Sequence, residues 1–131
     1  MFPLQLGLHG KSANEEIKEA VKAVEPMGVS MFYSMHSSPE DTGPALSEMK
    51  SVTGLPLGAY AHTVKNISVA SAKPNDEKIS EILKQNPSTD EYLQFCSRWV
   101  EVGAQVIGGC CGVTPDHIRA IKEGLPGKIL A

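Results

Sequence analysis

Apolar positions along this chain change period several times, and each change marks a new element. Residues 3–8 form a short apolar run that reads as a strand. After Ser12 or Asn14 as a capping residue, Ile17, Ala20, Val21 and Val24 recur at helical spacing. Pro26, Met27 and Gly28 close that helix. Residues 29–35 are apolar on both faces, the pattern of a parallel strand covered by helices. Ser38-Pro39-Glu40-Asp41 is a helix start: a capping hydroxyl, a proline in the first turn, then acids near the positive end of the helix dipole. Ala45, Leu46, Met49 and Val52 extend its stripe, Gly43 and Pro44 weaken its first turns, and Gly54 ends it.

Residues 55–61 read as a third strand, with Pro56 at its beginning, where a missing N–H is tolerated. Residues 63–87 are irregular and rich in Asn, Ser and Pro, with a short helix expected at 76–84. A stretch of that length without regular structure is usually functional or disordered. Ser88 and Glu91 then form a capping box. The helix it opens places Tyr92, Cys96, Trp99 and Val100 on one face and stops at Gly103. Residues 104–108 read as a fourth strand, followed by Gly109-Cys110-Cys111-Gly112 and a last helix from Thr114-Pro115-Asp116 to Gly124.

The fold class this predicts is α/β: consecutive βα units on a parallel sheet with right-handed crossovers. At 131 residues the chain reads as a single domain, 1–131. Such units make either a small open sheet or half of an eight-fold barrel, whose usual length is about 250 residues.

The net charge of −3, with Lys and Arg scattered, argues against nucleic acid and against an anionic membrane as partners. The apolar N-terminus is too short to span a bilayer and lacks the basic region and cleavage site of a signal peptide. The cysteine count is 3, with two of them adjacent, which suits a reducing, cytoplasmic setting better than a disulfide framework.

The candidate chemistry lies at Gly108-Gly109-Cys110-Cys111-Gly112, directly after a strand. In parallel α/β folds functional groups gather where strands end. Two adjacent thiolates reach one metal ion if the backbone turns sharply, and zinc would accept both; small buried side chains filling a strand end are the alternative. His36 ends the second strand, and in a barrel alternate strands share a layer, so His36 is placed to meet Cys110 and Cys111. It also fits a histidine bonded at a helix start. His62 ends the third strand and fits a further ligand, a substrate contact or a general base. His9 reads as a loop residue, His117 as solvent-facing or locally capping, and Cys96 as core.

The segment Gly108-Gly109-Cys110-Cys111-Gly112-Val113-Thr114-Pro115-Asp116-His117-Ile118 resembles the closing motif of the homocysteine S-methyltransferase family. Trp99-Val100-Glu101-Val102-Gly103-Ala104, Ser37-Ser38-Pro39-Glu40 and Leu55-Pro56-Leu57-Gly58-Ala59-Tyr60 are similar to three further segments of it. The resemblance implies strands five to eight of a (β/α)8 TIM barrel, a half-barrel to be completed by self-association or by a separate N-terminal half. It implies zinc as cofactor and methyl transfer to the sulfur of homocysteine or a similar thiol, with a methyl donor as second substrate. Of the three zinc cysteines of the family, two correspond to Cys110 and Cys111, and His36 stands at the third. Met35 replaces the family's asparagine before it, and Ala61-His62 replaces Pro-Asn, with His62 the expected substrate contact. Independent activity is not expected of a half-barrel; a non-catalytic metal- or thiol-binding half-barrel, or a family remnant, is the alternative.

Overall fold

A computed structural model describes residues 13–64 and 86–125. The expected strand at 3–8, His9, the expected helix at 76–84 and most of the irregular stretch lie outside these residues. Helix α1 (Ala13–Val24) runs into a 3-10 turn (Glu25–Met27), then β1 (Phe32–Met35), α2 (Pro39–Lys50), β2 (Leu57–Tyr60), α3 (Thr89–Val102), β3 (Ala104–Ile107) and α4 (Pro115–Gly124) follow. The alternation read from the apolar periods is therefore present, with each strand shorter than its apolar run. Asn14 lies inside α1 and is not its cap.

Local chemistry explains the boundaries. Gly28 takes φ 85°, the left-handed conformation that ends the first helical segment, and its N–H bonds the Glu25 carbonyl. The Ser38 hydroxyl accepts from the Asp41 N–H at 3.1 Å. At Ser88 the capping box is complete: Glu91 N–H donates to the serine hydroxyl at 3.2 Å, and Ser88 N–H donates to the Glu91 carboxylate at 2.8 Å. Helix α2 continues through Pro44, which costs it one backbone donor near the N-terminal end without ending it.

The strands are parallel and ordered β1-β2-β3, so sheet order follows chain order with no reversal. Each helix packs on the next: α1 on α2, α2 on α3, α3 on α4. One core results. Phe32, Leu57, Ala59, Ala61 and Ala104 of the sheet region pack with Ile17, Val21, Leu46, Met49, Tyr92, Cys96 and Trp99 of the helices. Side chains alternate across a strand, so residues 33, 58, 60 and 106 point to the opposite face. There Tyr33 lies over Gly58 and its ring meets Tyr60 edge-on at 5.3 Å.

Val100 departs from the expected stripe: it is 37% exposed, while Tyr92, Cys96 and Trp99 are buried. The buried stripe of α3 is thus narrower than its apolar content suggested. No described helix is long and apolar enough to cross a membrane.

Candidate metal centre

The sheet's hydrogen bonding does not stop where the strands end. Gly108 N–H donates to the Ala59 carbonyl at 2.9 Å, Cys110 N–H to Ala61 at 3.0 Å, and Thr63 N–H to Cys111 at 2.9 Å. On the other side His62 N–H donates to the Ser37 carbonyl at 3.0 Å. Residues 37, 61–63 and 108–111 are therefore a backbone lattice continuing the sheet. The candidate side chains stand on that lattice rather than on free loops.

Two local distortions aim them. His36 has φ 59°, the only described non-glycine residue with positive φ. Left-handed backbone is uncommon outside glycine, though histidine is enriched among the exceptions, and such outliers concentrate at functional sites. Beyond the cysteines, Val113 N–H bonds the Cys110 carbonyl at 3.1 Å, closing a tight turn with Gly112 at φ 81°. That φ is the one required at the third residue of a type II turn, and a side chain at Gly112 would strike the Thr63 hydroxyl. The sharp turn needed for both thiols to face one point is present.

The outcome is a cluster. Cys110 Sγ stands 3.2 Å from His36 Nδ1 and 3.8 Å from Cys111 Sγ. The ligand atoms of His36, Cys110 and Cys111 all lie within 4.8 Å of one another, and this is the one such cluster among the described residues. Two thiolates bound tetrahedrally to zinc at about 2.3 Å stand about 3.8 Å apart, and a thiolate and an imidazole nitrogen about 3.5 Å apart. The donor set and its spacing fit a zinc ion with a fourth position left for another ligand. Burial pushes the Cys110 thiol above its ordinary range; the Cys111 and His36 backbone acts against this, and the Cys111 thiol adds to it. A cation between the sulfurs would reverse that tendency.

His62 is not one of the three. It is 9% exposed, and its Nδ1 has no hydrogen-bond partner among the described residues. Burial holds its imidazole below the ordinary value; the Val64 carbonyl acts in the opposite direction, as do Glu40 and Asp41, while His36 lowers it further. Cys96 is buried in the core, with its thiol pushed up to about 12 by burial.

Two residues do more than their sequence pattern indicated. His117 is buried: its Nδ1 accepts from the Thr114 N–H at 3.1 Å and the Thr114 hydroxyl at 2.8 Å, and its Nε2–H donates to the Pro87 carbonyl at 3.3 Å. It caps α4 and pins the entry to α3 at once. Tyr92 sends its hydroxyl to the Ala61 and Gly108 carbonyls, both at 3.0 Å. In sequence it is one apolar position of a helical stripe, and only the hydroxyl hints at a polar task.

A parallel α/β sheet with two thiols and an imidazole converging at the C-terminal ends of its strands defines a protein of the βα-repeat class with a side-chain cluster able to hold a metal ion. Residues 5–125 match the family model of homocysteine S-methyltransferase, and the chain belongs to that family. It is 29% identical to a methionine synthase of Mycobacterium leprae over 112 residues, covering 84% of this chain and 8% of that protein. Against a selenocysteine methyltransferase of Astragalus bisulcatus it is 34% identical over 76 residues, 57% of this chain and 20% of that protein. The metallated form of the homocysteine methyltransferase MmuM from Escherichia coli shares the fold: TM-score 0.58 and 22% identity, over 82% of this chain and 28% of that one. The chain thus spans less than a third of the length of each of these relatives.

Proposed function

We propose that the chain is the C-terminal half of a zinc-dependent homocysteine S-methyltransferase barrel, with Cys110, Cys111 and His36 as the metal ligands. The observation that carries this reading is the convergence of those side chains within 4.8 Å at the strand ends. When bound, zinc lowers the pKa of a substrate thiol and keeps it as the thiolate that attacks a methyl donor. The chain's own residues set the terms. Cys110 and Cys111 bring two negative charges; His36 brings a neutral nitrogen where the family has a third thiolate. The donor set is one charge less negative than that of the family. It should take up an anionic sulfur more readily and leave that sulfur less nucleophilic.

His62 is the proposed substrate contact. The buried Nδ1 of His62 has no hydrogen-bond partner among the described residues, and in the tautomer protonated at Nε2 it can accept a donor from the substrate. The α-ammonium of an amino-acid thiol would supply that donor. Since imidazole at this position is held neutral by burial, it would not repel the ammonium.

Sheet order without reversal and helices packed in chain order suit a barrel segment better than a doubly wound sheet. Among the described residues β3 pairs only with β2, and its other edge has no described partner. Open edges pair with further strands. We take these to come from a second copy of this chain or from a separate N-terminal half, in a reducing, cytoplasmic compartment where the thiols stay free. The same ligands without turnover would make a metal- or thiol-binding module.

Zinc content per chain, measured on protein purified without chelator, tests the site. About one zinc is expected in the parent, and none in Cys110→Ser or in His36→Ala. Zinc retained by His36→Ala would remove the histidine from the ligand set. Methyl transfer from a donor to homocysteine, assayed on the assembled protein, separates the enzyme from the binding module.

A further inference from the structure

Tyr92 is fully buried, and its ring is fenced by the edges of Trp99 at 5.6 Å and His117 at 5.5 Å. Phenylalanine would fill the same space, so the hydroxyl is what needs a reason. It lies 3.0 Å from each of two carbonyl oxygens, Ala61 and Gly108. A phenol has one proton and donates to one of them at a time. Both carbonyls must therefore stay within reach of one point. Ala61 ends the run from β2 into the site, and its carbonyl also accepts the Cys110 N–H at 3.0 Å. Gly108 lies two residues before Cys110 on the continuation of β3. Tyr92 thus joins, from the core side, the two backbone segments that meet at the cysteine pair. Its ring has little freedom to shift, because His117 beside it is itself held by Thr114 and by the Pro87 carbonyl.

We propose that Tyr92 is a positioning residue for the cysteine pair. Its hydroxyl holds the Ala61 and Gly108 carbonyls together beneath Cys110, and so sets how tightly the site grips a metal ion and how rigidly the cysteine backbone is held. The metal part of this statement rests on reading Cys110, Cys111 and His36 as ligands; the backbone part does not. A pre-set thiol pair loses less freedom when a metal binds, which is how groups one step removed from the ligands tune affinity. Tyr92 acts through the backbone that carries Cys110.

The test is Tyr92→Phe, which removes the hydroxyl and keeps the ring, beside Trp99→Phe, which disturbs the same helix and core without touching either carbonyl. In metal-free protein, amide exchange of Cys110 should speed up about tenfold in Tyr92→Phe, while amides in the middle of α3 keep their parent rates. In a cobalt(II) titration, the dissociation constant should rise about tenfold, the lower end of what outer groups of metal sites contribute. The thiolate-to-cobalt charge-transfer band should shift with it. Trp99→Phe should lower the melting temperature and leave both site readouts at parent values. Unchanged Cys110 exchange in Tyr92→Phe overturns the proposal, as does Trp99→Phe reproducing its effects. If the parent takes up no cobalt, the ligand reading fails, and Cys110 exchange alone then decides whether Tyr92 positions the loop.

Discussion

On the helical face of the sheet, Phe32, Leu57 and Ala59 meet Leu46, Met49 and Trp99 with almost no surface left to solvent. The polar groups caught there have partners: the Thr42 hydroxyl donates to the Ser38 carbonyl at 2.8 Å, and the Tyr92 hydroxyl finds two carbonyls. At the C-terminal end of the same strands the balance changes. His36 adopts a left-handed backbone, Cys111 stands exposed, and His62 buries a ring nitrogen without a partner among the described residues. Strain and unmet hydrogen bonding are expected to disappear from a surface shaped only by packing. Their concentration at one end of the sheet is the physical mark of a site held for something other than stability.

The comparison is broken most forcefully from the packed side. Trp99 is 1% exposed and touches both Tyr92 and Phe95 rings. Trp99→Ala should lower unfolding free energy by about 3–5 kcal/mol, the range for emptying a buried aromatic site. Chemical denaturation of the metal-free protein measures it. A loss under about 1 kcal/mol would mean that the helical layer is not the core described here.

The strained side should respond with the opposite sign. His36→Gly relieves the left-handed backbone, where a β-carbon costs about 1–2 kcal/mol, though glycine gives back part of that through a freer unfolded chain. The expected result is a metal-free protein more stable by up to about 1 kcal/mol, together with loss of zinc. A single substitution that raises stability and abolishes metal would show strain kept for a ligand. A destabilised His36→Gly protein would mean that the histidine side chain contributes packing that outweighs its backbone.

Most of the fold is legible in the sequence because its signals are local. The Ile17, Val21 and Val24 spacing, the Ser38-Pro39 start and the Ser88–Glu91 box each act within a few residues, and each appears where its chemistry requires. The meeting of His36 with Cys110 and Cys111 is legible for another reason: alternate strands in a parallel α/β unit bring their ends to one layer. The turn at Gly112 is likewise suggested by a glycine directly after the cysteines. Other features depend on residues that are neighbours only in space. Tyr92 reads as one more apolar position, and nothing in the pattern tells that its hydroxyl meets carbonyls 31 and 16 residues away. His117 reads as solvent-facing or locally capping; the local cap at Thr114 is present, but its first-turn position says nothing of the Pro87 carbonyl, 30 residues earlier, that its other ring nitrogen meets. The left-handed backbone at His36 has only a weak sequence signal: histidine is enriched in that conformation but takes it only where its surroundings impose it.

The smallest effect expected is on pH dependence, and it tests the His62 nitrogen that has no partner among the described residues. Burial lowers the folded-state pKa of this imidazole below the ordinary value of about 6.5, and the nearby His36 lowers it further, against the opposing influence of the Val64 carbonyl, Glu40 and Asp41. Between the lowered value and about 6.5 the unfolded chain binds more protons at this residue than the folded one, so folding stability rises with pH across that window. Above about 6.5 the contribution is complete; it is lost as pH falls toward the folded-state value. Melting of the metal-free protein should therefore show a decline on acidification through that range. His62→Gln, which cannot titrate, should flatten the decline relative to the parent, with His36 and the carboxylates unchanged in both. Parallel profiles for parent and variant would mean that the ring is protonated in the folded protein as easily as in the unfolded one. The buried Nδ1 would then have found a donor or solvent, and the case for His62 as a waiting acceptor for a substrate ammonium would be lost with it.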